Sequence, residues 1–203
     1  NLTNADLTNA YLWNANLTGT DLTETQLTNA DLTDADLTGA DLTNADLTDA
    51  DLADISSGGV AGSPSALPTN WQLTQGYLIG PTANLTNADL MGANLTNANL
   101  TKAKLTKAKL MGANLFQAQL TDADLTNANL TNADLTDTHL WNATLMGTNL
   151  TEAQLTNADL TDADLTDADL RSANLHYADL TGADLRGADL TNADLTDADL
   201  ADI

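Results

Sequence analysis

The amino-acid sequence predicts an all-β solenoid, in which short extended segments wind into stacked coils around a dry interior of leucine and alanine. Three observations predict it. Leucine falls on every fifth residue from Leu85 to Leu200, 24 times without a miss, and 11 more times from Leu2 to Leu52. Two residues before these leucines stands alanine, replaced only at Thr20, Thr25, Thr138 and Thr148. The remaining places are mostly Asp or Asn just before the leucine, Thr just after it, and a polar residue after that. Self-similarity at a fixed period is the signature of a repeat architecture.

A period of five fits neither an amphipathic α-helix, at 3.6, nor a flat strand, at 2. Thr, Asn and Asp fill most other positions and are mediocre helix formers. Each unit is instead one short side of a coil that turns a corner every five residues. By the alternation of an extended segment, leucine and the alanine two before it face inward, and the other three side chains face out. Alanine suits the crowded place near a corner and leucine fills the centre. Asn, Asp and Gly at the outer places supply the turn chemistry of the corners. Coils stacked at the ~4.8 Å strand spacing satisfy one another's backbone groups, which gives a solenoid with a continuous interior.

The Ala–Asp/Asn–Leu–x–x unit resembles the pentapeptide-repeat proteins, over about five-sixths of the chain, all but roughly residues 53–83. The resemblance implies a right-handed quadrilateral β-helix with four pentapeptides, hence 20 residues, per coil. The two runs would then make about nine coils, a rod on the order of 40–45 Å long at the strand spacing. An internal duplication supports the four-unit coil independently. Tyr11–Leu42 reappears as His139–Leu170, and the tail Ala50–Ile55 reappears as Ala198–Ile203. From Leu12 to Leu52 is eight steps of five; from Leu140 to Leu200 is twelve, a difference of four units. Gain or loss of a whole coil preserves the stacking, whereas one unit would rotate every later face. Ile203, like Ile55, is expected to lead into a linker, so the chain reads as part of a longer one.

Taken in order, the first repeat block is 1–52, and Tyr11 and Trp13 flank Leu12 on one outer face. Residues 53–83 break the leucine period. Ser56–Pro68 is a turn-rich connector. Asn70–Pro81 reads as a β-hairpin: Trp71 and Leu73, a Thr-Gln-Gly turn, then Tyr77 and Ile79 in alternation. It resembles a spacer in cyanobacterial repeat proteins of this family and is expected to cover apolar surface with Trp71, Tyr77 and Ile79. The second block is 84–203. Residues twenty apart should stack, which places Lys102 over Asp122, Lys104 over Asp124 and Lys109 over Asp89. The same arithmetic gives acid columns: Asp159, Asp179 and Asp199; Asp164 and Asp184; Asp169 and Asp189. Trp13, Phe116 and Trp141 follow inward leucines and should point outward, as should the adjacent pair His176 and Tyr177.

Composition restricts the function classes. The chain carries 29 acidic and 6 basic residues, a net charge of −23, with no Lys or Arg before Lys102. That balance argues against direct binding of nucleic acid or an anionic membrane, which need basic patches. There is no Cys, hence no thiol chemistry and no information on redox compartment. No apolar run approaches the ~18 residues of a membrane span. Catalysis needs unlike groups converging in a cleft; a convex surface of near-identical repeats offers none. The Asp pairs lie on the surface with no partner of raised pKa to act as acid. His139 and His176 are nearly two coils apart. No catalytic, cofactor-binding or metal-binding residue is assigned. No loop gathers the six or more oxygens of a tight Ca²⁺ site.

The chain therefore reads as a non-catalytic, rigid, acidic scaffold or protein-interaction module. Exposed aromatics on a rigid frame are the places a partner would use, so the candidate contacts are Tyr11, Trp13, Trp71, Tyr77, His139 and Trp141. The resemblance adds an alternative, a DNA mimic acting on a type II topoisomerase, since some family members match B-DNA in width and charge. Against it, the central residue here is leucine in every unit and no C-terminal helix is visible. A third reading is a calcium-responsive acidic surface protein. Open coil ends leave backbone groups unpaired, so end-to-end self-association is expected besides an unknown protein partner. The compartment stays open: cytoplasm, periplasm or thylakoid lumen for a cyanobacterial protein.

Overall fold

The backbone of a single repeat shows why the chain closes into coils. In the computed structural model, which describes residues 1–203, Asp159–Ala163 spends all five of its N–H groups. Asp159 donates to Thr138 of the preceding coil at 2.9 Å, while Leu160 and Asp162 donate to Asp179 and Thr181 of the next at 2.7 and 2.9 Å. Ala163 donates back to Leu160 at 3.0 Å, closing a turn. Thr161 donates to the Asp159 side chain at 3.1 Å. No donor is left for water, as buried backbone demands.

That turn needs one residue in the left-handed region. Asp162 has φ of 56°, and the same place in nearly every repeat is also positive. Positive φ at the third of the four residues is what a type II turn requires. Asn, Asp and Gly tolerate it best, which accounts for their frequency two residues after the leucine. Glu24, Lys102, Lys107, Gln117, Glu152 and Tyr177 occupy the same conformation at greater local cost.

The chain divides into two compact units, Asn1–Leu85 and Thr86–Ile203. In the second unit, parallel backbone bridges join residues twenty apart, from Asp89↔Lys109 to Asp179↔Asp199. Leucines 90 to 180 are almost wholly buried, with the alanines beside them. Thr138 and Thr148, in alanine places, are equally buried. Each hydroxyl donates at 3.0 Å to a leucine carbonyl of the preceding coil, Leu115 and Leu125 respectively, so neither is left unpaired.

In the first unit the same ladder runs from Asp6↔Gln26 to Asp46↔Ala66. It thus continues past Leu52, where the leucine spacing stops. Ile55 and Val60 take the next two alanine places, 0% and 7% exposed. The Ile55 N–H closes the same turn on the Leu52 carbonyl that Ala50 closes on Leu47, and larger branched aliphatics stand there while Ser57 and Gly62 occupy the leucine places, so the backbone keeps its period although the leucine pattern has ended. The step after that is long: Ser56 bridges Asn84. The extra chain forms the only two strands of regular pairing, β1 (Gln72–Thr74) and β2 (Tyr77–Ile79), antiparallel with Leu73 opposite Leu78. This hairpin lies against the coil. Leu78 and Ile79 are buried, and Trp71 and Leu73 pack on the first unit's core. The Leu78 N–H donates to Ser57 Oγ at 2.9 Å, and the Val60 N–H donates to the Gly76 carbonyl at 3.0 Å. Gly80 is required by close approach, since a Cβ there would sit 2.1 Å from the Trp71 ring.

Candidate interaction surface

The outer surface is built from one recurring contact. Where Asp or Asn precedes a leucine, its side chain commonly accepts the N–H of the residue two later, which the ladder leaves unused. Asp46 accepts from both the N–H and the hydroxyl of Thr48, at 2.9 and 2.6 Å; Asp194 does so from Thr196 at the same distances. Asn129 serves Thr131 identically, at 3.0 and 2.7 Å. These are side-chain turns of the kind Asp and Asn favour. The Thr48 hydroxyl and N–H hold Asp46 below the ordinary carboxylate value of 3.8, and those of Thr196 do the same for Asp194. The Asp–Leu–Thr signature is thus a backbone device first and an acidic surface second.

Because the coils stack, these acids stand in columns. Asp159 bridges Asp179, which bridges Asp199; Asp164 bridges Asp184, and Asp169 bridges Asp189. Two arginines interrupt them. Arg171 holds Asp169 at 2.6 Å and reaches Asp189 at 3.9 Å, and Arg186 holds Asp184 at 2.5 Å. Lys109 pairs with Asp89 at 3.3 Å, and Lys104 bridges Asp124 through the backbone. No three Asp, Glu or His side chains converge as a metal site would require. An open hollow of about 630 Å³ lined by Ala183, Leu185, Arg186 and Ile203 holds only acid, arginine and apolar groups.

Of the candidate contacts, Tyr11 and Trp13 stand in the first unit, 91% and 63% exposed, with nothing laid over them. Trp71 and Tyr77 belong to the hairpin and are half-buried. Tyr77 lies against Gly58, whose Cβ would be 3.1 Å from its ring. His139 and Trp141 are exposed in the second unit, flanking Leu140 as Tyr11 and Trp13 flank Leu12. Phe116 is half-buried. His176 is engaged rather than merely solvated: its Nδ1 is 3.0 Å from the Thr196 carbonyl, and its ring lies 3.9 Å from that of Tyr177. Sequence reasoning passed over Met91, Met111 and Met146, which are 41–45% exposed just after inward leucines. The alternation rule that placed Trp13 outside would have found them. No helix of the structure is long and apolar enough to cross a membrane.

The family model of pentapeptide repeats matches in overlapping segments covering residues 1–55 and 83–202. Among solved structures, the chain is similar to HetL, a pentapeptide repeat protein involved in heterocyst differentiation regulation from the cyanobacterium Nostoc, at 32% identity. The match covers 98% of this chain and 90% of that one, with a TM-score of 0.31. A pentapeptide repeat protein of the Arabidopsis thaliana thylakoid lumen is 31% identical over 51% of this chain and 68% of that one, with a TM-score of 0.40. QnrB1, a plasmid-mediated fluoroquinolone resistance protein, is 19% identical over 93% and 90%, also with a TM-score of 0.40. At such TM-scores the assignment rests on the sequence match. No curated protein sequence matches significantly. With the repeat signature matched along most of its length, this chain belongs to the pentapeptide repeat family.

Proposed function

We propose that the chain is a non-catalytic, rigid, acidic scaffold that presents a few aromatic contacts to a protein partner. The scaffold so proposed is a right-handed quadrilateral β-helix of about nine coils, with residues 53–83 as an insert between repeat blocks 1–52 and 84–203. The observation that carries the functional reading is the exposure of Tyr11 and Trp13, 91% and 63%, on a surface made mostly of Asp, Asn and Thr. Aromatic anchors on a preorganised frame cost little ordering entropy on binding. The equivalent pair His139 and Trp141 gives the second unit a like spot, and Trp71 and Tyr77 form a lesser one on the hairpin. The test is quantitative affinity capture with the intact chain and with a Tyr11→Ser/Trp13→Ser/Trp141→Ser variant. A partner retained by the first and lost from the second supports the proposal. Identical capture profiles contradict it.

A second reading, mimicry of DNA toward a type II topoisomerase, is favoured by the acid columns such as Asp159–Asp179–Asp199 and by the net charge of −23. Inhibition of DNA supercoiling by micromolar protein would support it, and unchanged supercoiling would remove it.

A further inference from the structure

All 29 acidic residues lie outside residues 90–121, which hold four of the six basic ones. Within that stretch Leu100–Leu110 reads LTKAKLTKAKL, and Leu160–Leu170 reads LTDADLTDADL. The second is the first with every lysine replaced by aspartate. The two lie sixty residues apart, three steps of the twenty-residue ladder, so they occupy the same columns of one unit. Lys104 connects to Asp164 through the bridges Lys104↔Asp124, Asp124↔Thr144 and Thr144↔Asp164. Lys107, Asn127, Gly147 and Asp167 take the left-handed place of the repeats in that same column of coils. Lys104 and Lys107 are exposed, as is Asp167, while Asp164 is half-buried. Between the two charged bands lie Thr126, Asn127, Gly147 and the 41% exposed Met146.

We propose that this face docks a second copy of the chain, antiparallel, about a twofold axis lying in the contact plane and crossing the column midway between Asp124 and Thr144. An in-plane axis across the coils reverses the direction along the columns and preserves the position across them. Lys104 therefore meets Asp164 of the second copy, and Lys107 meets its Asp167. Asp124 meets Thr144, Asn127 meets Gly147, and Thr126 meets Met146. Each pairing occurs twice, as an isologous contact requires, and from Lys104 to Asp167 no acid faces an acid. A parallel arrangement would set lysine against lysine and Asp164 against Asp164. Charge complementarity thus selects both partner and orientation, and every repeat shares one geometry, so matching spacing follows automatically. Lys102 with Asp162, and Lys109 with Asp169, repeat the match at the edges of the face. There the internal pairs Lys109–Asp89 and Arg171–Asp169 already neutralise part of it. The inference needs the twenty-residue columns but no particular biological role.

Charge reversal tests it. Sedimentation velocity on the full chain at about 0.15 M salt, where the Debye length is ~8 Å, should show a monomer–dimer equilibrium at concentrations up to about 0.1 mM, as suits a small interface. At about 0.01 M salt, where the Debye length grows to ~30 Å, the less screened mutual repulsion of two chains of net charge −23 should weaken it. Lys104→Asp/Lys107→Asp and Asp164→Lys/Asp167→Lys should each raise the dissociation constant at least tenfold when alone. Mixed together they restore opposite charges at all four sites and should associate as tightly as the unaltered chain. Lys104→Gln/Lys107→Gln serves where a reversed variant fails to fold by circular dichroism, with the same loss expected. A monomer throughout, variants that dimerise like the parent, or mixing without recovery would each overturn the proposal. End-to-end stacking predicts insensitivity to the substitutions and is separated by the same data.

Discussion

At the scale of the residue, two positions of the repeat do unlike work. The Asp or Asn before the leucine closes a turn by accepting the Thr N–H, and the contact is sensitive to pH only where that residue is Asp. Asp46 and Asp194 have lowered pKa values, chiefly from the Thr48 and Thr196 hydroxyls and then from the N–H groups. A depressed folded pKa adds stability that is complete above the unfolded value and is lost as pH falls through the folded one. The urea midpoint should therefore decline as pH drops below 3.8. An Asp46→Asn/Asp194→Asn variant, which keeps the acceptor without the titration, should decline less over the same range. Equal declines would show that the contact has no part in acid sensitivity. The left-handed place makes a separate prediction. Glu152 sits there with φ of 58°, exposed, and Glu152→Asn should raise unfolding free energy by about 1 kcal/mol. Chemical denaturation measures it.

At the scale of the element, the leucine spacing made the coils legible and made their boundary illegible. Outward Trp13 and Trp141 follow from counting in fives, and with the four units per coil that the family resemblance implies, so do twenty-residue stacking, the Lys109–Asp89 pair and the Asp159–Asp179–Asp199 column. The hairpin strands were legible too, because Thr-Gln-Gly between alternating apolar residues is turn chemistry. Ile55 and Val60 were not, since they keep the inward place without keeping its residue type. The role of Asp and Asn was visible in the recurrence of Asp–Leu–Thr only once the unpaired N–H was counted. Gly80 was equally opaque, because its need arises from a ring that folding brings onto it. Gly80→Ala should displace Trp71, costing about 1–3 kcal/mol as overpacking does, with a red shift in tryptophan emission. An unshifted spectrum and unchanged stability would mean the ring does not seat there.

At the scale of the whole molecule, strong acidity and a dry interior coexist because the charges tile the outside of a ladder whose backbone is internally paired. Exposed like charges in neighbouring coils repel by about 1 kcal/mol or less in water, and salt screens them. Millimolar Ca²⁺ should then raise the thermal midpoint no more than Mg²⁺ at equal ionic strength. A calcium-specific rise would require a convergent site. The central claim, that residues twenty apart stand directly over one another, is open to a clean crosslinking measurement because the chain has no cysteine. Asp159 and Asp179 bridge across adjacent coils, within the ~4.4–6.8 Å Cα separation a disulfide spans. Asp159→Cys/Asp179→Cys should oxidise rapidly to an intramolecular disulfide, while Asp159→Cys/Asn174→Cys, fifteen residues apart by number, should stay reduced. Comparable oxidation of the two pairs, or preference for the second, would contradict the fold from which every other conclusion descends.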